Sequence, residues 1–201
     1  MSPQMPPPPP QPPATAESGP AAGPGAPVRD SHCSSCGAPF TPGAGWPRTC
    51  PACGTIAYRN PLPVAVALLP VRDADGLGLV VIRRAIPPQL GRLALPGGFV
   101  DVGESWQRAV VRELFEETRI QVPTADVVLA DALTDEQGGY LLLFGLLPEL
   151  AAAGLPPSAP TDETDGYVLL REPAELAFEL HTLAARRWFD GAYATAGTRP
   201  A

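Results

Sequence analysis

Residues 98–120 read GFVDVGESWQRAVVRELFEETRI, and no other stretch constrains the chain so tightly. A Gly-Gly turn is followed by Glu104, then by Glu113, Glu116 and Glu117. The last three stand at i, i+3 and i+4, so a helix would gather them on one face. With Glu113 at zero and about 100° per residue, Trp106, Ala109 and Val110 fall within about 60° of it. Glu116 and Glu117 flank it, while Arg108 and Arg112 point elsewhere. The acids therefore lie inside the apolar arc, which argues against a solvated acidic face. Charges turned inward need a partner. Three crowded carboxylates repel one another unless a cation sits between them. A hard divalent cation with oxygen ligands is the natural occupant.

The preceding loop agrees. Leu95 and Pro96 lead into Gly97 and Gly98, a turn needing permissive backbone. A bare backbone at Gly97 can bring its carbonyl close to a cation, and substrate phosphates can complete the shell of Mg²⁺. Ser105 is the expected helix N-cap.

This stretch resembles the Nudix hydrolase signature, G-x5-E-x7-R-E-U-x-E-E-x-G-U, where U is a bulky aliphatic residue. Gly98, Glu104, Arg112, Glu113, Leu114, Glu116, Glu117 and Ile120 match it. The signature's last glycine is Arg119 here. That position would end the helix in a left-handed residue, which costs an arginine about 1 kcal/mol. Arg119 is thus expected to be a tolerated departure outside the ligand set. The resemblance implies an α/β fold, the Nudix α/β/α sandwich with a mixed sheet. It also implies metal-dependent hydrolysis of a nucleoside diphosphate linked to another moiety, such as ADP-ribose or a dinucleotide. Carried over, Glu113, Glu116 and Glu117 are ligands of catalytic magnesium or manganese, with the Gly97 carbonyl a further one. Arg112 orients the acids by salt bridge and Glu104 pins the loop. The general base is open between Glu113 and Glu163, with Asp165 near the latter. Arg83, Arg84 and Arg92 are candidate phosphate ligands. Phe178 either stacks on the substrate or packs the core. His181 is expected to be structural.

The cysteines carry the second signal. All four occur in two C-x-x-C-G knuckles, Cys33 with Cys36 and Cys50 with Cys53. Tetrahedral S₄ ligation of structural zinc is the expected use. Disulfides are disfavoured in a cytosolic chain, and a redox pair would not be duplicated. His32 is a bystander, because four thiolates already saturate the site. A module this small buries little core, so the metal is its main stabiliser. The segment Tyr58, Arg59, Asn60, Pro61, Leu62, Pro63 looks like the link found in zinc-ribbon members of the family. NADH pyrophosphatases share this arrangement, but their S-Q-P-W-P-F-P-type motif is missing here, which speaks against NADH.

The expected organisation is a disordered Pro-rich tail over 1–30, a zinc ribbon over 31–58, the catalytic domain over 59–192 and a flexible C-terminus over 193–201. Residues 1–27 hold 11 of the 28 prolines and no aromatic residue, which suits a solvated spacer better than a docking site. No signal peptide or membrane span is read, so a cytoplasmic location is expected. The net charge of −7 argues against a general nucleic-acid binder, which would need a basic patch. The expected partner is the small-molecule substrate, and a homodimer is allowed.

Apolar runs at 64–71 and 77–83 flank a turn and read as a hairpin. Short strands are expected at 93–95 and 98–100 and the acid-bearing helix at 106–118. Further strands are expected at 127–132, 140–147 and 167–170. A helical turn at 173–177 and a closing helix at 181–190 follow, with Leu183, Trp188 and Phe189 on its apolar side. Two rival functions are a non-catalytic nucleotide sensor and an isoprenoid diphosphate isomerase. The isomerase needs a catalytic cysteine, and every cysteine here is committed to the ribbon.

Overall fold

Each cysteine pair closes on itself before it meets the other. In the computed structural model, which describes residues 30–193, Gly37 N–H donates to the Cys33 carbonyl at 2.8 Å and Gly54 N–H to that of Cys50 at 2.9 Å. Both glycines are left-handed, with φ of 73° and 74°, a conformation that favours glycine. Strands β1 (Arg48–Thr49) and β2 (Ile56–Ala57) pair antiparallel beside the knuckles. The core here is slight: Cys33, Phe40 and Cys50, with Ala38 and Ala57 packed against them. These residues belong to the first of two compact units, Met1–Arg59 and Asn60–Ala201. The expected tail over 1–30 and C-terminus over 193–201 fall outside the described residues, Asp30 and Tyr193 excepted.

In the second unit, proline divides what the apolar pattern presents as one strand. Residues 64–71 were expected to run together. Instead β3 (Leu62–Leu68) and β4 (Pro70–Asp73) belong to different sheets. Pro70 has no N–H to continue the first ladder. The chain steps across at Leu69, whose carbonyl accepts from Val80 at 3.0 Å. β4 then forms the expected hairpin with β5 (Gly76–Arg84). β6 (Leu93–Ala94) joins β5, and β7 (Gly97–Phe99) returns to β3. Helix α1 follows (Trp106–Thr118). Next come β8 (Val128–Thr134), β9 (Tyr140–Leu146), β10 (Leu150–Ala151), β11 (Thr164–Leu170) and helix α2 (Glu179–Phe189).

One sheet has the order β7-β3-β9-β8, with β3 and β9 parallel. The other runs β10-β4-β5-β11, with β6 beside β5 and β10 parallel to β4. The alternation along β3 shows the layering. Ala65 and Ala67 pack in the cluster of Ala109, Val110 and Leu114 from α1. Val66 and Leu68 pack in the cluster of Ala184 and Ala185 from α2. Successive side chains of a strand face opposite ways, so β3 is buried on both faces between the two helices. That is the expected α/β/α arrangement with mixed sheets.

Two local expectations need correction. Residues 173–176 form no helical turn. The amide of Leu176 donates to Thr182 Oγ1 at 2.9 Å and that of Ala177 to the Leu93 carbonyl at 2.7 Å, so neither is free for a local helical bond. On α2 the inward face is carried by Ala184 and Ala185 rather than Leu183. Trp188 and Phe189 do pack there. No helix among the described residues is long and apolar enough to cross a membrane.

His181 joins α2 to the strand below. It is buried, and its Nδ1 accepts from the Leu95 amide at 3.2 Å, so its proton sits on Nε2. The rings of Phe178 and Phe144 pack edge-on against it at 5.0 and 6.1 Å. Burial, reinforced by Arg84, lowers its pKa to about 3. The folded form therefore resists a proton that the unfolded chain accepts below about pH 6.5, and acid removes stability through this group. We expect His181→Leu to lower stability at pH 7 by about 1–3 kcal/mol, because the Leu95 amide loses its acceptor. The gap to the native protein should narrow as pH falls from 6.5 toward 4, measured by urea unfolding of both proteins.

Candidate active site

The acid-bearing helix is seated by its first turn. Ser105 Oγ accepts from the Arg108 amide at 3.3 Å and caps α1. Glu104 accepts from the Asp101 amide at 3.3 Å, so it braces the loop that enters the helix. The inner face of α1 carries Ala109, Val110, Leu114, Glu117 and Thr118, all buried. Ala109 and Val110 let the helix lie close to β3 and β7.

β7 supplies the other wall. Gly97 and Gly98 pair with Val66 and Ala65. A Cβ on Gly98 would be driven into the Glu113 carboxylate, and one on Gly97 into the Ala65 carbonyl. Glycine is required here for close approach. The Gly97 amide donates to Glu117 Oε2 at 2.9 Å. This bond seats Glu117 against the strand through the Gly97 N–H.

Arg112 is the hub of the remaining acids. Its guanidinium donates to Glu104 at 3.0 and 3.1 Å, to Glu113 at 2.7 Å and to Glu116 at 3.2 Å. It also donates to the Phe99 carbonyl at 2.9 Å. These contacts raise the pKa of Arg112 and, at Glu104, lower that of the acid. Glu117 lies beyond its reach and is 4% exposed. Burial pushes Glu117 up to about 8 against the pull of the Gly97 amide, with Glu113 and Glu163 adding repulsion. Burial likewise raises Glu113, although Arg112 opposes it. Both acids thus resist ionisation in the absence of a further cation.

The loop before β11 completes the cluster. Thr164 is fully buried and its hydroxyl donates to the Glu117 carbonyl at 3.1 Å. Thr161 Oγ1 accepts from the amides of Glu163 and Thr164 at 3.3 and 3.2 Å. The Glu163 carbonyl accepts from Ala85 at 2.8 Å. This bonding holds the loop against the C-terminal end of α1. An open pocket of about 220 Å³ results, lined by Glu113, Glu116, Glu117, Arg119, Thr161, Asp162 and Glu163. Sequence reasoning missed three of these: Thr161, Asp162 and Arg119. Asp162 adjoins Glu163 in a loop without periodicity, and Arg119 was set aside as a helix-end substitution.

Arg83, Arg84, Arg92 and Phe178 do not line this pocket. Arg83 donates to the Gly91 carbonyl at 2.9 Å and Arg84 to that of Pro88 at 2.8 Å. Arg92 pairs with Glu175 at 2.8 Å. The Arg84 guanidinium lies 5.1 Å from the Phe178 ring, and its charge reaches Glu117.

Two sets of side chains could hold metal. The four cysteine sulfurs lie within 4.8 Å of one another. Cys33 and Cys53 are 3.8 Å apart and Cys36 and Cys50 3.6 Å apart. A tetrahedron with metal–sulfur bonds of about 2.3 Å has edges of roughly 3.8 Å, so the set fits S₄ ligation. The carboxylates are spread more widely. No other His, Cys, Asp and Glu group among the described residues converges to 4.8 Å. Such spacing suits a cation that keeps water and substrate oxygens among its ligands.

A family model described as the NUDIX domain matches residues 61–190, more than half of the 201 residues. An ADP-ribose pyrophosphatase of Methanocaldococcus jannaschii is 46% identical over 61 residues, 30% of this chain and 36% of that protein. The mitochondrial NAD(P)H pyrophosphatase NUDT13 of Homo sapiens is 34% identical over 96 residues, 46% of this chain and 26% of that protein. The chain thus spans about a third or less of the length of these curated relatives. The crystal structure of a NUDIX hydrolase from Nitrosomonas europaea superposes with a TM-score of 0.61 at 23% identity, covering 80% of this chain and 90% of that one. At that identity the likeness establishes the fold alone.

Proposed function

The chain belongs to the NUDIX family, and from that premise we propose that it is a metal-dependent hydrolase of nucleoside diphosphates linked to a second moiety. The observation that carries this reading is the inward-facing pair Glu113 and Glu117 with Glu116 beside them in an open pocket. The two relatives named above cleave diphosphates by name, and ADP-ribose is the first substrate to try. Glu113, Glu116 and Glu117 would hold a magnesium or manganese ion, with the Gly97 carbonyl as a further ligand. When bound, that ion neutralises the diphosphate and polarises the attacked phosphorus. Arg112 keeps Glu113 and Glu116 oriented through its ion pairs. Glu163, fixed by Thr161 and Ala85, takes the proton of the attacking water. The water oxygen bonds to phosphorus, and the anhydride oxygen leaves on the other phosphate. Among the arginines expected at the substrate, Arg84 keeps that role in this reading because its charge bears on Glu117. Arg83, bonded to the Gly91 carbonyl, and Arg92, paired with Glu175, are given no role in it.

The four cysteines hold a structural zinc ion. Backbone amides of Cys36 and Ser35 directed at Cys33 lower its pKa, and Thr55 brings that of Cys53 to about 6. These two shifts favour the thiolate that metal requires, whereas, against the pull of the Ala38 amide, Cys53 and Cys50 beside Cys36 push that thiol up to about 12, a repulsion that a bound cation would relieve. Reduced thiolates, the form that holds zinc, agree with a cytoplasmic location.

ADP-ribose incubated with Mg²⁺ or Mn²⁺ should give AMP and ribose 5-phosphate, identified by chromatography. Glu116→Gln and Glu117→Gln should keep the fold, since the Glu117→Gln amide oxygen still accepts from Gly97. Each should cut turnover about 100-fold or more, because a ligand charge is lost from the ion that stabilises the transition state. Near-native rates in both variants at saturating Mg²⁺ would refute the assignment. Binding without turnover would instead mark a nucleotide sensor.

Elemental analysis of the native protein should find one zinc per chain, and removal by chelator should unfold the first unit. A zinc-free native protein with Cys33 and Cys36 joined in a disulfide would contradict this.

A further inference from the structure

We propose that Arg119, which replaces the glycine of the family signature, is a phosphate-binding residue for the substrate diphosphate. The inference rests on the hydrolase reading above and deepens it. Among the described residues Arg119 is the one cationic side chain lining the pocket, which it shares with the carboxylates of Glu113, Glu116, Glu117, Asp162 and Glu163. Among the described residues it makes no hydrogen bond or ion pair through its side chain. Its guanidinium instead lies 5.4 Å from the Phe115 ring. A ring contact of that kind occupies one face of the guanidinium and leaves its N–H edge available. That edge matches two phosphate oxygens at once, which a glycine or a lysine at this position cannot do.

The backbone fixes where the arginine stands. Arg119 is left-handed, with φ of 64°, and its amide donates to the Phe115 carbonyl at 2.8 Å. The helix therefore ends at the pocket wall, two residues after Glu117. Thr118 closes the same turn, its hydroxyl donating to the Leu114 carbonyl at 2.5 Å and accepting from the Ile120 amide at 3.1 Å. A non-glycine residue pays a steric cost in this conformation. An exposed arginine beside five acids would ordinarily pair with one of them, yet this one does not. When the acids hold a divalent ion, Arg119 is the remaining positive group of the wall. A phosphate oxygen of the bound diphosphate is its natural partner.

The experiment compares native protein with Arg119→Gly, Arg119→Gln and Arg119→Lys. Steady-state kinetics use ADP-ribose with Mg²⁺. Calorimetric binding uses the non-hydrolysable α,β-methylene analogue of ADP-ribose with the same ion. The Gly and Gln variants should raise both KM and the analogue's Kd about 10-fold or more, the usual weight of a charge-assisted hydrogen bond. Turnover at saturation should change by less than about 3-fold, since binding is lost equally in ground and transition states. Lysine should recover part of the affinity. The melting temperature of Arg119→Gly should equal or exceed the native value, which separates lost binding from lost fold. Unchanged KM and Kd in both the Gly and Gln variants would overturn the proposal and leave Arg119 a helix end. Native protein that binds the analogue but does not turn over ADP-ribose would refute the hydrolase reading, while the Kd ratios still judge Arg119. Native protein that does not bind the analogue would overturn both.

Discussion

Two glutamates turned toward the interior of a helix–sheet contact set the terms for the rest of the second unit. Glu117 is buried and Glu113 half-buried, and desolvation raises the pKa of each. A charge placed there is costly unless something compensates it. The surrounding residues can be understood as partial compensation. The Gly97 amide serves Glu117, and Arg112 serves Glu113. Both depend on the absence of side chains at Gly97 and Gly98. Compensation remains incomplete on the pocket side, which is where a divalent ion and a substrate phosphate would complete it.

Arg112 shows how one side chain coordinates several segments. It spans the entering loop through Glu104, the strand through the Phe99 carbonyl, and the helix through Glu113 and Glu116. The far side of the pocket is held differently, by uncharged bonds from Thr161 and Thr164. Thr164 ties the loop to the last turn of the same helix. The loop acids and the helix acids therefore share one rigid support, and precise placement of catalytic groups needs such support.

The acid-bearing helix was legible because several local signals coincide in 98–120. Its limits, its Ser105 cap and the left-handed exit at Arg119 all appear as the sequence implied. The cysteine knuckles were legible for the same reason, since spacing and glycine position are local. What was not legible depends on distant partners. The apolar run through 64–71 keeps its hydrophobicity across Pro70, and although that proline marks a break, only sheet assignment shows that the two halves join different sheets. The amides near Leu176 look available for a turn until Thr182 and Leu93 claim them. Asp162 and Arg119 acquire meaning only when β11 brings its loop beside the helix end. Arg83 and Arg92 read as candidate phosphate ligands from their positions alone, and their bonds to Gly91 and Glu175 could not be read from the sequence.

The central claim is that the inward glutamates are ligands of a divalent cation. Manganese tests it directly, because it prefers carboxylate oxygens over the cysteine set and is visible by paramagnetic resonance. Native protein titrated with Mn²⁺ at neutral pH should show saturable binding. The combined variant Glu113→Gln, Glu116→Gln and Glu117→Gln should lose it while its zinc content and folded signal persist. Equal Mn²⁺ binding by the native protein and the folded triple variant would contradict the account.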